Sequence, residues 1–313
     1  MTDSPPDPLL PSASAEAALR QLEWTVLRRL DGLLQGDYRT LMRGSGMDLC
    51  DLRAYQYSDD VRQIDWNVTA RLQEPHVRIY TEDREMTAWF LLDLSPSMDF
   101  GSSRQRKRDT AHFFTALLAR LLTRAGNRVA AIVHGTGADC VVPPGQGRNQ
   151  VLRLLHVLQT RPAGAPRSDG ATRLDLLLAQ ASGLLRRRAT VFVLSDFVSP
   201  PGWEQALGRL ARRHDVLAVR LVDPLELDLP DLGLLPIRDA ETGEQLLVDT
   251  HDPAFRRRFA AIAAQREADL RAGFAQAGVD TLELSTDGDL VDALLRFCAL
   301  RARRLHAHQS GAA

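Results

Sequence analysis

The chain has 313 residues, of which 25% are charged and 44% are apolar, and its formal net charge at pH 7 is -1. A near-neutral chain has no overall field that would draw it to nucleic acid or to an anionic membrane, so we expect no nucleic-acid partner. No apolar stretch reaches about 18 residues, and residues 1–14 lack the basic start and apolar run of a signal peptide. We therefore expect a cytoplasmic protein without a membrane span.

The first 85 residues are predicted to form a disordered start, one helix and an irregular segment. Residues 1–14 are rich in Pro, Ser and Asp, which is typical of disorder. Apolar residues recur at helical spacing over 15–34, which predicts an amphipathic helix. Residues 40–85 lack that spacing and contain short β-like runs. Residues 15–85 are therefore predicted to be an N-terminal helix followed by a partly β segment.

The region from residue 86 to residue 306 alternates apolar runs with helical periodicity. The apolar runs predict strands at 88–93, 128–133, 140–142, 190–195, 216–222 and 281–284. Helices are predicted at 104–124, 147–159, 173–187, 203–213, 252–277 and 288–306. This alternation predicts an α/β fold, a doubly wound and mostly parallel sheet flanked by helices. A β-hairpin insertion is predicted at about 234–249, and a disordered tail at 307–313.

Two carboxylates and three hydroxyls follow predicted strands or precede a predicted helix. Asp93, Ser95 and Ser97 are spaced by two directly after the first central strand, so an extended turn would direct them to one side. Thr172 ends a Gly-rich loop, and Asp196 ends the fourth strand. In a sheet of order 3-2-1-4-5, strands 1 and 4 are neighbours whose following loops diverge and leave a crevice. The topology therefore predicts that Asp93 lies beside Asp196.

Carboxylates and hydroxyls without His or Cys are hard oxygen ligands. Such ligands suit Mg²⁺, Mn²⁺ or Ca²⁺ rather than Zn²⁺. Mg²⁺ keeps some of its water, so an open position could accept a carboxylate from a partner. The alternative is that these side chains only cap turns and a helix end.

The five residues together resemble the metal-ion-dependent adhesion site of von Willebrand factor A and integrin-type domains. The resemblance implies that Ser95, Ser97 and Thr172 are direct or near-direct ligands of the metal. It implies that Asp93 and Asp196 bind the metal directly or through water. The metal site is therefore predicted at these five positions.

A second resemblance lies in residues 57–71, which read YSDDVRQIDWNVTAR. This segment is similar to the hallmark of a bacterial family catalogued as domain of unknown function 58, with Ser58 in place of the usual Gly. The resemblance extends over about residues 40–300. It implies a von Willebrand A-like protein that works with a MoxR-type AAA+ ATPase. From the residues themselves, we predict that Arg62, Asp65 and Trp66 pack the N-terminal segment onto the main domain; contact with a partner is the alternative.

These features favour a non-enzymatic, metal-dependent interaction module. It would act with a MoxR-type ATPase on a protein client that presents an acidic residue to the metal. A metal-dependent hydrolase using the same crevice is the alternative, but no general base or nucleophile is evident beside the site. The chain is not itself a P-loop ATPase, because its only lysine, Lys107, is not in a P-loop motif.

Overall fold

The computed structural model describes residues 51–55, 64, 66–79, 86–102, 105–135, 139–161, 172–238 and 243–310. The predicted disordered start and amphipathic helix lie outside these residues, as do Arg62 and Asp65. Within the described ranges, no helix is both long and apolar enough to cross a membrane.

The described elements are as follows, in chain order. The strands are β1 Asp51–Ala54, β2 His76–Ile79, β3 Thr87–Asp93, β4 Arg128–His134, β5 Cys140–Gly145, β6 Thr190–Ser195, β7 Asp215–Val222, β8 Leu234–Arg238, β9 Gln245–Asp249 and β10 Asp280–Ser285. The helices are α1 Trp66–Leu72, α2 Lys107–Arg124, α3 Gly147–Thr160, α4 Leu174–Leu184, α5 Trp203–Ala211, α6 Pro224–Leu227, α7 Pro253–Ala277 and α8 Leu290–Ser310. A short 3-10 helix spans Pro96–Asp99.

Six strands form one sheet in the order β10-β7-β6-β3-β4-β5. All neighbouring pairs run parallel except β4 and β5, which are antiparallel at one edge. The predicted α/β fold with a mostly parallel sheet is confirmed. The strand order agrees with the predicted one, and β10 adds a sixth strand beside β7. Because β3 and β6 are hydrogen-bonded neighbours, their carboxyl ends lie side by side.

The sheet is covered by helices on both faces, as its continuous apolar strands predict. On one face, Phe90 and Phe192 pack into a core that includes residues of α2, α3 and α8. Their rings stack with centroids 5.3 Å apart. On the other face, Trp89 and Val191 pack into a core formed with α4, α5 and α7. Alternate residues of β3 and β6 thus enter opposite cores, which fixes the strand register and the direction in which each strand ends.

Two predicted boundaries were wrong, and one helix was missed. β5 continues through two prolines to Gly145, because it is an edge strand in which a missing N–H removes no necessary ladder bond. α1 occupies part of the segment that was predicted to contain no helix. α8 continues to Ser310, so residues 307–310 are helical rather than part of a disordered tail. The predicted hairpin is confirmed as the antiparallel pair β8 and β9.

The prediction that Trp66 packs the N-terminal segment onto the main domain was also wrong. Trp66 is the first residue of α1 and is 69% exposed. α1 connects the antiparallel strands β1 and β2, and Thr69 accepts a hydrogen bond from the His76 N–H at 3.0 Å. An exposed ring contributes little packing, so Trp66 does not anchor this segment; the alternative of a partner contact remains a prediction.

Candidate functional site

Asp93 is the last residue of β3, and its carboxylate is held from both sides. Oδ1 accepts a hydrogen bond from the Ser95 N–H at 2.9 Å, and Oδ2 accepts one from the Ser195 hydroxyl at 2.7 Å. Ser195 ends the neighbouring strand β6 and was not predicted as a site residue. The register of two parallel strands thus places a hydroxyl against the carboxylate and orients it.

Ser95 and Ser97 lie on the same side of the turn after β3, as predicted. Their Oγ atoms are 3.0 Å apart, and the Ser95 side chain also bonds to Asp93. Pro96 at the start of the 3-10 helix favours the tight turn that brings the hydroxyls together. Both serines are buried, and Ser97 is the more exposed at 8%.

Asp196 follows β6 directly and is oriented by a strained turn. Its Oδ1 accepts the Val198 N–H at 3.0 Å. The next residue, Phe197, has a φ of 60°, a left-handed conformation that costs a non-glycine residue about 1–2 kcal/mol. Its buried ring packs between Trp203 and Phe274, with centroids 5.2 and 4.8 Å away. This aromatic packing offsets the strain and holds Asp196 in place.

The two carboxylates influence each other. Burial raises the pKa of Asp93 to about 6, and the nearby charge of Asp196 adds to the increase, while hydrogen bonds from Ser195 and Ser95 oppose it. Two buried like charges at one strand edge repel, so this edge favours a cation. Asp93, Ser95, Ser97 and Asp196 are called the carboxyl-edge cluster below.

Thr172 lies two residues before the start of α4. It is buried, and two residues later the Leu174 N–H donates to the Ser199 hydroxyl at 3.1 Å. That bond ties the start of α4 to the loop that follows Asp196. Hydrogen bonds connect Asp93, Ser95 and Ser97, and Asp196 interacts with Asp93 through the repulsion of their charges. Thr172 lies on the segment that the Leu174–Ser199 bond ties to the loop after Asp196.

A buried lysine, which was not predicted as a site residue, completes the site. Lys107, the first residue of α2, has a fully buried side chain. Its Nζ lies 2.6 Å from Asp196 Oδ2 and 2.7 Å from Glu226 Oε1. Burial lowers the pKa of this ammonium, but the charges of Asp196 and Glu226 outweigh that effect and raise it. Glu226 belongs to α6, a single helical turn after β7.

Asp223 fixes the position of α6 and was also missed. It is fully buried and accepts hydrogen bonds from the Ser102 hydroxyl and the Thr286 hydroxyl, both at 2.6 Å. Its backbone N–H donates to Glu226 Oε2 at 3.2 Å. Burial opposes ionisation, but the bonds from Ser102 and Thr286 lower the pKa of Asp223 below its ordinary value. The ends of β7 and β10 and the loop before α2 are thereby tied together.

The donor set fits a hard divalent cation if hydroxyls take part. Within the described ranges, no group of three or more His, Cys, Asp or Glu side chains could hold a metal. The carboxyl-edge cluster instead combines two carboxylates with two hydroxyls. Together with Glu226, three carboxyl groups and the single ammonium of Lys107 lie at this edge, so acidic groups outnumber basic ones by two. A divalent ion would balance that excess, and oxygen is the donor that such ions prefer.

Gly135 supports the turn from the adjacent strand and gives a test of this geometry. It follows β4 with a φ of +103°, and a Cβ there would lie 2.7 Å from the Ser95 nitrogen. We expect Gly135→Ala to lower the free energy of unfolding by about 2–3 kcal/mol, because strain and a backbone clash combine. Gly126→Ala is the matched control, since Gly126 has a φ of +82° but no atom within 4 Å. Urea titration measures both; equal losses would show that the contact with Ser95 is unimportant.

Comparison with known proteins gives a family but no activity. Residues 51–269 match the family model described as protein of unknown function DUF58. Uncharacterized proteins of Mycobacterium tuberculosis and Mycobacterium bovis are each 40% identical over 297 residues, covering 94% of this chain and 92% of theirs.

Two solved structures are similar at low identity. The conserved hypothetical protein BatB from Bacteroides thetaiotaomicron has a TM-score of 0.43 at 14% identity, covering 70% of this chain and 99% of its own. The SpRpn10 VWA domain has a TM-score of 0.37 at 12% identity, covering 67% and 94%. The sheet order and the positions of Asp93 and Asp196, rather than these similarities, define the site.

Proposed function

Because the chain belongs to the DUF58 family of proteins of unknown function, we propose its role from its own site: a non-enzymatic interaction module that binds a protein partner through a divalent cation. The cation would be Mg²⁺, or alternatively Mn²⁺ or Ca²⁺, held by the carboxyl-edge cluster with Thr172. One observation carries the proposal. Two carboxylates, Asp93 and Asp196, lie at adjoining strand ends, and two serine hydroxyls that bond to each other lie beside Asp93. An acidic residue of the partner would complete the coordination.

The hydrogen bonds of the serines favour binding over catalysis. The Ser195 hydroxyl donates to Asp93, and the Ser95 hydroxyl bonds to Asp93 and Ser97. Among the described contacts, neither hydroxyl is bonded to a histidine or lysine that could act as its base, and the Lys107 ammonium is bonded to Asp196 and Glu226 instead.

An exposed aromatic side chain beside the cluster offers a contact surface for the partner. Phe100 follows the 3-10 helix and is 41% exposed. Its ring centroid lies 6.0 Å from Lys107 Nζ, so it covers the buried ammonium. Exposed aromatic side chains are frequent anchors of protein interfaces. The partner that we propose is a MoxR-type AAA+ ATPase together with its protein client.

The test is capture of a purified MoxR-type ATPase from the same organism, in Mg²⁺ and in EDTA. We expect Asp93→Ala and EDTA each to reduce capture by about tenfold or more, since a central contact is lost. Phe100→Ala should reduce capture while leaving stabilisation by Mg²⁺ unchanged. Asp269→Ala is the control, because Asp269 is an exposed residue of α7 whose side chain bonds to Gln265 on the same helix. Equal capture by wild type and Asp93→Ala in both buffers would refute the proposed role.

A further inference from the structure

Lys107 already supplies a cation to the carboxylate that a divalent ion would use. Its side chain is fully buried, and burying an ammonium is costly unless it is paired. Asp196 Oδ1 is engaged by the Val198 N–H, whereas Oδ2 bonds to Lys107. A metal that draws on Oδ2 must therefore compete with the ammonium or displace it.

Glu226 gives the ammonium a second binding position. Its Oε1 accepts from Lys107, while its Oε2 accepts from the Asp223 N–H in a capping box that fixes α6. Asp223 is itself held by Ser102 and Thr286. Glu226 is thus anchored and would not follow the ammonium when Lys107 moves. The lysine lies between one carboxylate of the cluster and one outside it.

We propose that Lys107 is a tethered competitor for the divalent cation at Asp196, and that Glu226 sets the strength of the competition. The proposal rests on the proposed metal site and assigns its regulation. Metal binding shifts the ammonium from Asp196 towards Glu226, so occupancy of the site changes the contacts of α6 at the end of β7. Lys107 is a positioning residue here, since its effect passes through Asp196.

The test is a double-mutant cycle in which calorimetry gives the Mg²⁺ dissociation constant of the full chain. Lys107→Met should tighten Mg²⁺ binding by about tenfold or more, because a competing unit charge next to Asp196 is removed. Glu226→Gln should weaken binding several-fold, because the ammonium then has only Asp196 as a charged acceptor. In the Lys107→Met background, Glu226→Gln should have no effect on Mg²⁺ binding.

The cycle separates competition from a simple field effect. If Glu226 acted only through space, its replacement would weaken Mg²⁺ binding equally in both backgrounds, and the proposal would be overturned. Unchanged Mg²⁺ affinity in Glu226→Gln alone overturns it too, whether or not Lys107→Met folds. Arg220→Met is the control, because it removes a buried cation of β7 that pairs with Glu267 of α7, and it should leave Mg²⁺ affinity unchanged.

The same measurements distinguish this proposal from the proposed function. If wild type and every variant fail to bind Mg²⁺ and Mn²⁺, the metal site itself is wrong. If wild type binds Mg²⁺ and Lys107→Met binds it no more tightly, the metal site stands and the competition is wrong.

Discussion

Replacing Lys107 by methionine is expected to lower the free energy of unfolding of the metal-free protein by about 3–5 kcal/mol. The substitution nearly preserves side-chain length but leaves Asp196, which is 3% exposed, without its ammonium partner. An uncompensated buried carboxylate is costly, whereas the Glu226 side chain is 23% exposed and partly hydrated. Most of the loss should therefore come from Asp196.

Urea denaturation of the metal-free proteins measures this effect. Arg173→Met provides a matched ion-pair control, because the Arg173 side chain is 56% exposed in its pair with Asp175. That variant should lose far less stability than Lys107→Met, because exposed ion pairs contribute little to the free energy of unfolding. If Lys107→Met loses no more than Arg173→Met, the buried network contributes little to the fold.

Replacing Asp93 by asparagine is expected to stabilise the metal-free protein at neutral pH. Burial and the charge of Asp196 raise the pKa of Asp93 from 3.8 to about 6, so the folded protein binds this proton more tightly than the unfolded chain does. The stability contributed by the protonated group is present below pH 3.8 and is lost as the pH rises through about 6. Asparagine does not ionise, so the variant avoids this loss, which amounts to about 3 kcal/mol of the free energy of unfolding at pH 7.

The pH dependence of the difference between the two proteins isolates Asp93 from other titrating groups. The free energy of unfolding of Asp93→Asn minus that of wild type should be near zero at pH 4 and should increase up to pH 7. Measurements in EDTA at a series of pH values give this difference. A difference that is constant with pH would mean that the Asp93 carboxylate is not perturbed in the folded protein.

The sequence was sufficient to predict the pairing of Asp93 with Asp196. Both follow continuous apolar runs, which are local patterns, and the order of a doubly wound sheet then makes their strands neighbours. The hydroxyls of Ser95 and Ser97 follow from spacing within one turn. These features depend on short segments and one topological rule, so no distant side-chain contact had to be known.

Lys107 and Glu226 could not be placed in the same way. Their contact joins residues 119 positions apart and depends on a single helical turn, α6, in a region where the alternation of strands and helices pauses. The one available signal was that the chain contains a single lysine, at the start of a helix after the serine turn. The prediction for Trp66 was wrong for a related reason, because charged neighbours in the sequence do not reveal whether an aromatic ring is buried.

Stabilisation by Mg²⁺ tests the carboxyl-edge cluster most directly. The thermal midpoint and the free energy of unfolding are measured for wild type and Asp93→Asn at pH 7, in EDTA and at increasing Mg²⁺. Wild type should gain about 2.7 kcal/mol at a hundredfold excess of Mg²⁺ over its dissociation constant. Asp93→Asn should begin more stable and gain little. Equal responses of the two proteins to Mg²⁺ would contradict a cation site at the ends of β3 and β6.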